Sequence, residues 1–185
     1  RGLWRRTTLD EYRKTQPQWE VLLDLDALGK TENENWVWAG SNCLAPDYNR
    51  CLISLSRGGA DAKVTREFDI VKRTFISDGF NLPEAKSQLD WVDIDTLYVG
   101  TDLGPGSMTK SGYPRVIKQW KRGTPLAQAV VVYEGQESDV AAFASVDKTP
   151  GYERTVFGRS IDFYNTEMSL WQEGQLVKIN KPSDA

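Results

Sequence analysis

The sequence predicts an all-β protein, a partial β-propeller of about three blades. Short runs of apolar and β-branched residues recur along the 185 residues, and Gly, Pro and Asp separate them. Short strands with frequent turn residues between them are typical of all-β folds. The sequence offers no long amphipathic helix that could connect parallel strands, so we expect antiparallel meanders.

The elements follow from local signals, in order along the chain. Thr8 and Glu11 fit a capping box, and Pro17 limits the helix that they begin, which we place at residues 9–15. Almost everything after this helix is predicted to be strand or turn. The predicted strands cover residues 19–25, 36–44, 51–56, 63–70, 74–77, 89–92, 96–101, 115–121, 129–134, 141–146, 154–161, 168–172 and 175–179.

The order of strands and turns repeats along the chain. Residues 36–77 give four strands, residues 89–134 give the same order, and residues 141–179 begin it a third time. A period of roughly 45 to 50 residues with four strands per unit indicates propeller blades, and a β-sandwich is the alternative. The predicted divisions are a lead-in segment with a short helix and strand over 1–34, blades over 35–79 and 80–137, and a partial blade over 138–185.

The number of blades indicates a piece of a longer protein. Closed propellers have about 4 to 8 blades, so three blades cannot close a ring. The chain also begins with Arg1-Gly2 and no initiator Met. We therefore expect unpaired strand edges on both outer blades.

Composition argues against several kinds of partner. The formal net charge is −3, whereas nucleic acid or an anionic membrane would require clustered Lys and Arg. No apolar run approaches about 18 residues, and the first ten residues are too polar for a signal peptide. We expect a cytoplasmic location, with the periplasm as the alternative.

Two cysteines, Cys43 and Cys51, flank a connection of hairpin size. They are too few for a disulfide-rich secreted scaffold. The hairpin predicts that the two residues lie close together across antiparallel strands. In a reducing compartment we expect two free thiols.

Ser56 resembles a hydrolase nucleophile at first sight, because Gly58 follows two residues later in RCLISLSRGGAD. A G-x-S-x-G elbow also needs Gly two residues before the serine, where this chain has Ser54. The chain has no His to act as general base. We predict that Ser56 ends a strand and that Gly58-Gly59 supplies the hairpin turn.

Two other motifs admit a functional and a structural interpretation. The stretch GPGSMTKSG, residues 104–112, resembles a phosphate loop, but Thr109 stands where Gly must precede Lys. We interpret it as a long hairpin loop that can line an access route. Asp90, Asp93 and Asp95 could serve as paired carboxylates or bind Ca²⁺, although we favour Asp93 and Asp95 as turn caps.

The tryptophans could form a stacking surface for sugar or peptide, or pack between blades, which is the more common role of such large apolar side chains. They include Trp36, Trp38, Trp91, Trp120 and Trp171. We assign no catalytic, cofactor-binding or metal-binding residue to this chain.

Six stretches occur in the order found in the N-terminal propeller of bacterial prolyl oligopeptidase family proteins, and the chain resembles that family over nearly its whole length. They are LWRRTTLDEYRK, ENWVW, RCLISLSRGGADA, LPEAKSQLDWVDIDTLYVGTDLGPGSMTKSGYPR, KQWKRGTPLAQA and GYERTVFGRSIDFYN. The resemblance implies a fragment of a seven-bladed propeller that sits over an α/β-hydrolase domain with a Ser-Asp-His triad.

The function implied by this resemblance is non-catalytic. The propeller would gate short-peptide substrates for the hydrolase domain of a serine peptidase, and nothing in this chain resembles that domain. The implied partners are that domain and short peptides, with no cofactor, and the chain alone would be inactive. Two alternatives stay open, a self-contained glycan- or peptide-binding β module and a carboxylate-based glycosidase fragment.

We predict that the chain self-associates through exposed blade edges or blade faces, since such edges recruit other strands. Light scattering over the micromolar range measures this directly. A monomer at every concentration, with a sharp cooperative thermal transition, would show that three blades are sufficient for a stable fold.

Overall fold

The computed structural model describes residues 2–184, and these are almost entirely β-strands and turns. Two α-helices are present in this range, α1 (Leu9–Tyr12) and α2 (Leu25–Glu32), together with a short 3-10 helix at Leu126–Gln128. The strands are β1 (Leu3–Arg6), β2 (Glu20–Asp24), β3 (Trp36–Cys43), β4 (Arg50–Arg57), β5 (Lys63–Asp69), β6 (Thr74–Phe75), β7 (Asn81–Ala85), β8 (Gln88–Asp93), β9 (Thr96–Gly100), β10 (Val116–Lys121), β11 (Val130–Glu134), β12 (Ala141–Asp147), β13 (Arg154–Ser160), β14 (Thr166–Gln172) and β15 (Gln175–Lys178). None of these helices is long and apolar enough to cross a membrane.

The strands form antiparallel meanders, as predicted. One sheet has the order β3-β4-β5-β6, with β7 added on β5. The next two sheets have the orders β8-β9-β10-β11 and β12-β13-β14-β15, and β1 pairs with β2 in a separate hairpin. This confirms the all-β prediction with repeated four-stranded units, while the division of the chain at residues 34, 79 and 137 stays a prediction.

Two compact units are distinguished by their internal contacts. The first holds the residues up to 41 together with 49–84, and the second holds 42–48 together with the residues from 85 onward. The first unit has a core around the fully buried Phe68, whose ring lies 5.8 Å from that of Trp4 and 5.1 Å from that of Phe75.

A buried carboxylate organises the β6–β7 turn of the first unit. Glu67 on β5 is fully buried, accepts a 3.1 Å hydrogen bond from Arg50 and accepts another, of 2.8 Å, from the backbone N–H of Phe80. A Cβ on Gly79 would lie 2.6 Å from its Oε2 atom, so any other residue there would require the Glu67 side chain to move. The turn thus closes directly over the carboxylate.

The second unit has an aromatic core. Tyr98 and Phe157 meet edge to face at 5.0 Å between ring centroids, and Tyr133 stacks on Phe157 at 5.7 Å. Ile117 and Ala142 complete the buried cluster. Burial raises the pKa of Tyr98 and of Tyr133, because the phenolate would lose its hydration in this surrounding.

The two helices differ from the predictions. Thr8 does cap α1 by accepting a 3.2 Å hydrogen bond from the Glu11 N–H, but α1 ends at Tyr12 rather than at residue 15. The Glu11 carboxylate bonds Lys14 and the Gln18 N–H. The sequence did not predict α2, because this helix follows an apolar strand without a break. Asp24 ends that strand, and its side chain caps the helix by accepting a 2.9 Å hydrogen bond from the Ala27 N–H.

The expectation of two free thiols is wrong, since Cys43 and Cys51 are both disulfide-bonded. Cys43 ends β3 and Cys51 is the second residue of β4. The hairpin between these strands brings the cysteines together, as their spacing predicted.

Helix α2 is held to β5 by one carboxylate. Both guanidinium nitrogens of Arg66 donate to Glu32, at 2.7 and 3.0 Å, and the indole N–H of Trp36 donates to it at 2.7 Å. The hydrogen bonds from Arg66 are the main cause that lowers the pKa of Glu32 below its ordinary value. The ion pair therefore contributes stability above the ordinary carboxyl pKa, and this contribution is lost as the pH falls through the lowered pKa.

We predict that Glu32→Gln lowers the free energy of unfolding near neutral pH by about 0.5–1 kcal/mol, a modest effect because water screens this partly exposed pair. The difference from the unmodified chain should shrink from neutral to acid pH, because protonation of the folded carboxyl at its lowered pKa removes the ion pair. Urea unfolding at neutral and at acid pH measures it. Asp10→Asn is the control, since the Asp10 side chain is 93% exposed, and a Glu32→Gln effect that persists in acid would contradict the assignment.

Candidate functional site

The second unit has two ends, defined by where its strands begin and finish. β8 and β12 contact each other and finish together, because Val146 on β12 bonds Asp90 on β8 and the Lys148 ammonium bonds the carbonyl of Val92. We call this the cavity end. The loops over 101–115, 135–140 and 161–165 lie at the opposite end, which we call the loop end.

Asp90 is the central polar contact of the cavity end. Its Oδ1 atom accepts a 2.9 Å hydrogen bond from the Asn42 side chain, and its Oδ2 atom accepts a 2.7 Å bond from the Val146 N–H. The neighbouring Trp91 indole donates to the Asn42 carbonyl at 3.0 Å. One carboxylate thus joins segment 42–48, β8 and β12.

A bulge next to Asp90 shapes this end. The pairing of β8 with β9 shifts register between Trp91 and Asp93, which leaves Val92 without a directly opposite residue. Bulges of this kind bend a strand and redirect the neighbouring side chains. Here the bulge leaves the carbonyl of Val92 to accept from Lys148.

A cavity of about 500 Å³ opens at the cavity end. Its walls are residues 42–46, Tyr48, Asp90, Trp91 and 146–150. Asp147 accepts from the Thr149 N–H and from Arg154, both at 3.0 Å, and the hydrogen bonds from Thr149 are the first cause that lowers its pKa. Asp90, Asp147 and Lys148 all hold hydrogen-bond partners within the chain.

Of the two carboxylates predicted to cap a turn, Asp93 does so and Asp95 does not. The Asp93 Oδ1 atom accepts a 2.8 Å hydrogen bond from the Asp95 N–H, which closes the β8–β9 turn as the sequence predicted. The exposed Asp95 pairs with Arg122 at 3.2 Å. Within residues 2–184, no group of three or more His, Cys, Asp or Glu side chains could hold a metal ion.

Ser56 lies within β4, and only 2% of it is exposed. Gly58 and Gly59 follow with φ of +63° and +90°, the left-handed conformation that glycine adopts without strain. The Gly58 N–H bonds the Asn35 carbonyl at 3.0 Å. This confirms that Ser56 belongs to a strand and that the glycines make the turn.

The loop over residues 104–112 is a β9–β10 connection, as predicted, and no helix follows it. The Lys110 N–H donates to the carbonyl of Glu137 at 2.8 Å, and the Thr109 hydroxyl donates to that of Val140 at 2.9 Å. The Lys86 ammonium lies 4.5 Å from the centre of the Tyr113 ring, a cation–π contact. Despite its glycines, the loop is held firmly against the start of β12.

An aromatic turn at the loop end escaped the sequence analysis. Phe163 and Tyr164 lie in the β13–β14 turn and are 92% and 84% exposed. Beside them, Arg159 pairs with Asp139 at 3.0 Å and with Glu167 at 3.2 Å. The two aromatics lie between the predicted strands 154–161 and 168–172, but the sequence does not show that their side chains are exposed, because exposure is set by the tertiary fold.

The tryptophans mostly serve as core. Trp36, Trp91 and Trp120 are buried, which agrees with packing rather than with an open stacking surface. Trp38 lies against Trp4 at 5.1 Å between ring centroids. Trp171, at 38%, is more exposed.

Consecutive antiparallel four-stranded meanders define the chain as a β-propeller segment. The sequence profile of the prolyl oligopeptidase N-terminal β-propeller domain matches residues 1–171. The chain therefore belongs to the prolyl oligopeptidase family and lies in its propeller domain, which confirms both the fold and the resemblance.

Curated relatives and a solved structure agree with this assignment. The chain is 49% identical over 175 residues to the uncharacterized peptidase y4nA of Sinorhizobium fredii, and 35% identical over 199 residues to the uncharacterized peptidase RP174 of Rickettsia prowazekii. It superposes on a post-proline cleaving enzyme from Rickettsia typhi with a TM-score of 0.88 and 34% identity, over 98% of this chain. Oligopeptidase B from Leishmania major shares the fold at 13% identity, with a TM-score of 0.69 over 98% of this chain and 25% of its own.

These matches cover nearly all of this chain but little of the relatives. The chain aligns over 94% of its own length to the Sinorhizobium protein and over all of it to the Rickettsia prowazekii protein. These alignments span 24% and 27% of the two relatives, and the match to the Rickettsia typhi enzyme spans 28% of that chain. The chain thus corresponds to about a quarter of its relatives' length.

We predict that Asp90→Ala lowers the free energy of unfolding by about 2–3 kcal/mol, because the Asn42 side chain and the Val146 N–H both lose a charged acceptor. Asp95→Ala is the matched control, with an expected loss below about 1 kcal/mol for its exposed ion pair. Urea unfolding of both variants measures the difference, and equal losses would contradict the central place of Asp90.

Proposed function

We propose that this propeller segment controls the access of peptides to a hydrolase domain within a longer peptidase that cleaves after proline. The observation that carries this proposal is the superposition on the post-proline cleaving enzyme, at a TM-score of 0.88 over 98% of the chain. The proposed partners are that hydrolase domain and short peptides.

A gate of this kind must be stiff, since it selects substrates by size. Two features support stiffness in the second unit. At the cavity end, Asp90 bonds Asn42 and Val146, so the finishing ends of β8 and β12 are held together. At the loop end, Thr109 and Lys110 tie the long glycine-rich loop to the strand that follows.

The proposed role of the chain is non-catalytic. A serine peptidase needs a general base beside its nucleophile, and this sequence has no His to supply one. Ser56 is buried in a strand, where a substrate carbonyl could not approach it. Hydrolysis is therefore assigned to the part of the peptidase outside these residues.

A second candidate function, a peptide- or glycan-binding module, is favoured by the cavity of about 500 Å³. The third, a carboxylate-based glycosidase, is disfavoured because Asp93 closes a turn and Asp90 joins strands. We propose a cytoplasmic or a periplasmic location; the bonded cysteines favour the oxidising periplasm.

We predict that the chain alone hydrolyses no Pro-linked chromogenic peptide, whereas the longer peptidase cleaves short Pro peptides far faster than a long unfolded polypeptide. Asp90→Ala in the longer peptidase should raise kcat/KM for the long substrate several-fold relative to the short one, because the gate is loosened; Asp95→Ala should leave that ratio unchanged. The measurement is kcat/KM for both substrates.

Two results would contradict the proposed function. One is equal kcat/KM of the unmodified peptidase for long and short substrates. The other is turnover by the chain alone that Ser56→Ala abolishes, since it would place the catalyst within these residues.

A further inference from the structure

The β13–β14 turn presents the two most exposed aromatic side chains among residues 2–184, Phe163 at 92% and Tyr164 at 84%. Phe and Tyr are usually among the residues that bury the most apolar area on folding. Two adjacent aromatics held in water, at the tip of one turn, are typical of a surface that contacts another protein segment.

The turn is held rigid although its tip is exposed. The Asp162 Oδ1 atom accepts 2.8 Å hydrogen bonds from the backbone N–H groups of Tyr164 and Asn165, and the Asn165 side chain bonds both oxygens of the same carboxylate. The Ile161 N–H closes the turn on the Asn165 carbonyl at 2.8 Å, and the Ser183 hydroxyl bonds the Asn165 side chain at 2.7 Å. Aromatic anchors on such a preorganised turn lose little entropy on binding.

Most charges near the turn are paired within the chain. Arg159 is paired with both Asp139 and Glu167, and Glu167 also bonds Lys178 at 3.0 Å. The Asp162 carboxylate is engaged by the turn itself, and its bond with the Tyr164 N–H is the first cause that lowers its pKa. The turn therefore presents its two aromatic rings outward, and an apolar surface fits these rings.

The area of the turn limits its partner. Two aromatic side chains bury about 150–250 Å² each, whereas a specific complex of separate proteins buries at least about 1,200 Å². The turn alone is too small to hold a second copy or a free protein. It is large enough for a segment of the same polypeptide, whose effective concentration is high.

We propose that Phe163 and Tyr164 anchor the loop end of the second unit in an apolar recess on the part of the longer peptidase outside residues 1–185. This inference rests on the proposed function, because the chain corresponds to 24% of the Sinorhizobium relative and 27% of the Rickettsia prowazekii one. The loop over residues 101–115 lies at the same end. Docking through the β13–β14 turn would therefore place the loop over residues 101–115 next to the remaining polypeptide.

Hydroxyl-radical footprinting of the longer peptidase, read by mass spectrometry, tests this docking. Tyr152 is the internal reference, since it is 68% exposed in the β12–β13 connection at the cavity end of the same sheet. Relative to Tyr152, labelling of Phe163 should be about fivefold lower in the longer peptidase than in the isolated chain, as expected for an anchor in a desolvated recess. Equal relative labelling in the two proteins would overturn the proposal.

A matched pair of variants gives a second readout. Phe163→Ser combined with Tyr164→Ser in the longer peptidase should speed its proteolytic nicking between the propeller and the remaining polypeptide several-fold, because the anchor is lost. Tyr152→Ser should leave that rate unchanged. If the double variant is nicked at the same rate as the unmodified longer peptidase, the proposal is overturned.

The outcomes separate this inference from the proposed function. Protection of Phe163 in a peptidase that cleaves long and short substrates alike would support docking and reject the gate. Size selectivity with Phe163 fully labelled would leave the gate standing and reject docking. Protection that grows with the concentration of the isolated chain would assign the turn to contact between copies and likewise overturn the inference.

Discussion

The second unit depends on one carboxylate, that of Asp90. Apolar contacts between strands are strong but not directional, so the aromatic core around Phe157 does not fix where β8 and β12 stop relative to each other. A carboxylate that accepts from Asn42 and from the Val146 N–H does fix this, because both bonds need one geometry. The ends of the strands are thereby set at the cavity end.

The same strands carry the loops and turns of the loop end. Rigid strands that carry functional loops are a common arrangement in enzymes and binding proteins. In this chain the loop over 101–115 is hydrogen-bonded to the residues just before β12. The turn over 161–165 is closed by hydrogen bonds to the Asp162 carboxylate. The proposed gate and the proposed docking anchor therefore share one sheet framework.

The sequence predicted those features that are decided locally. Gly58-Gly59, the Asp93 turn and the Thr8 cap each depend on residues at most three positions away, and each was confirmed. The partners of Asp90 lie 48 and 56 residues away, beyond the range of any local pattern. Exposure of Phe163 escaped for the same reason: it lay between two predicted strands, but no local pattern shows whether an aromatic side chain in a turn packs back onto the protein.

Amide hydrogen exchange at Val146 tests the role of Asp90 most directly. In the unmodified chain this N–H donates to the carboxylate, so it should exchange slowly. In Asp90→Ala it should exchange many times faster, while the amide of the buried Phe157, inside the same sheet, should keep its rate. Equal exchange of Val146 in the two proteins would show that the carboxylate does not hold the strands, and would contradict this account.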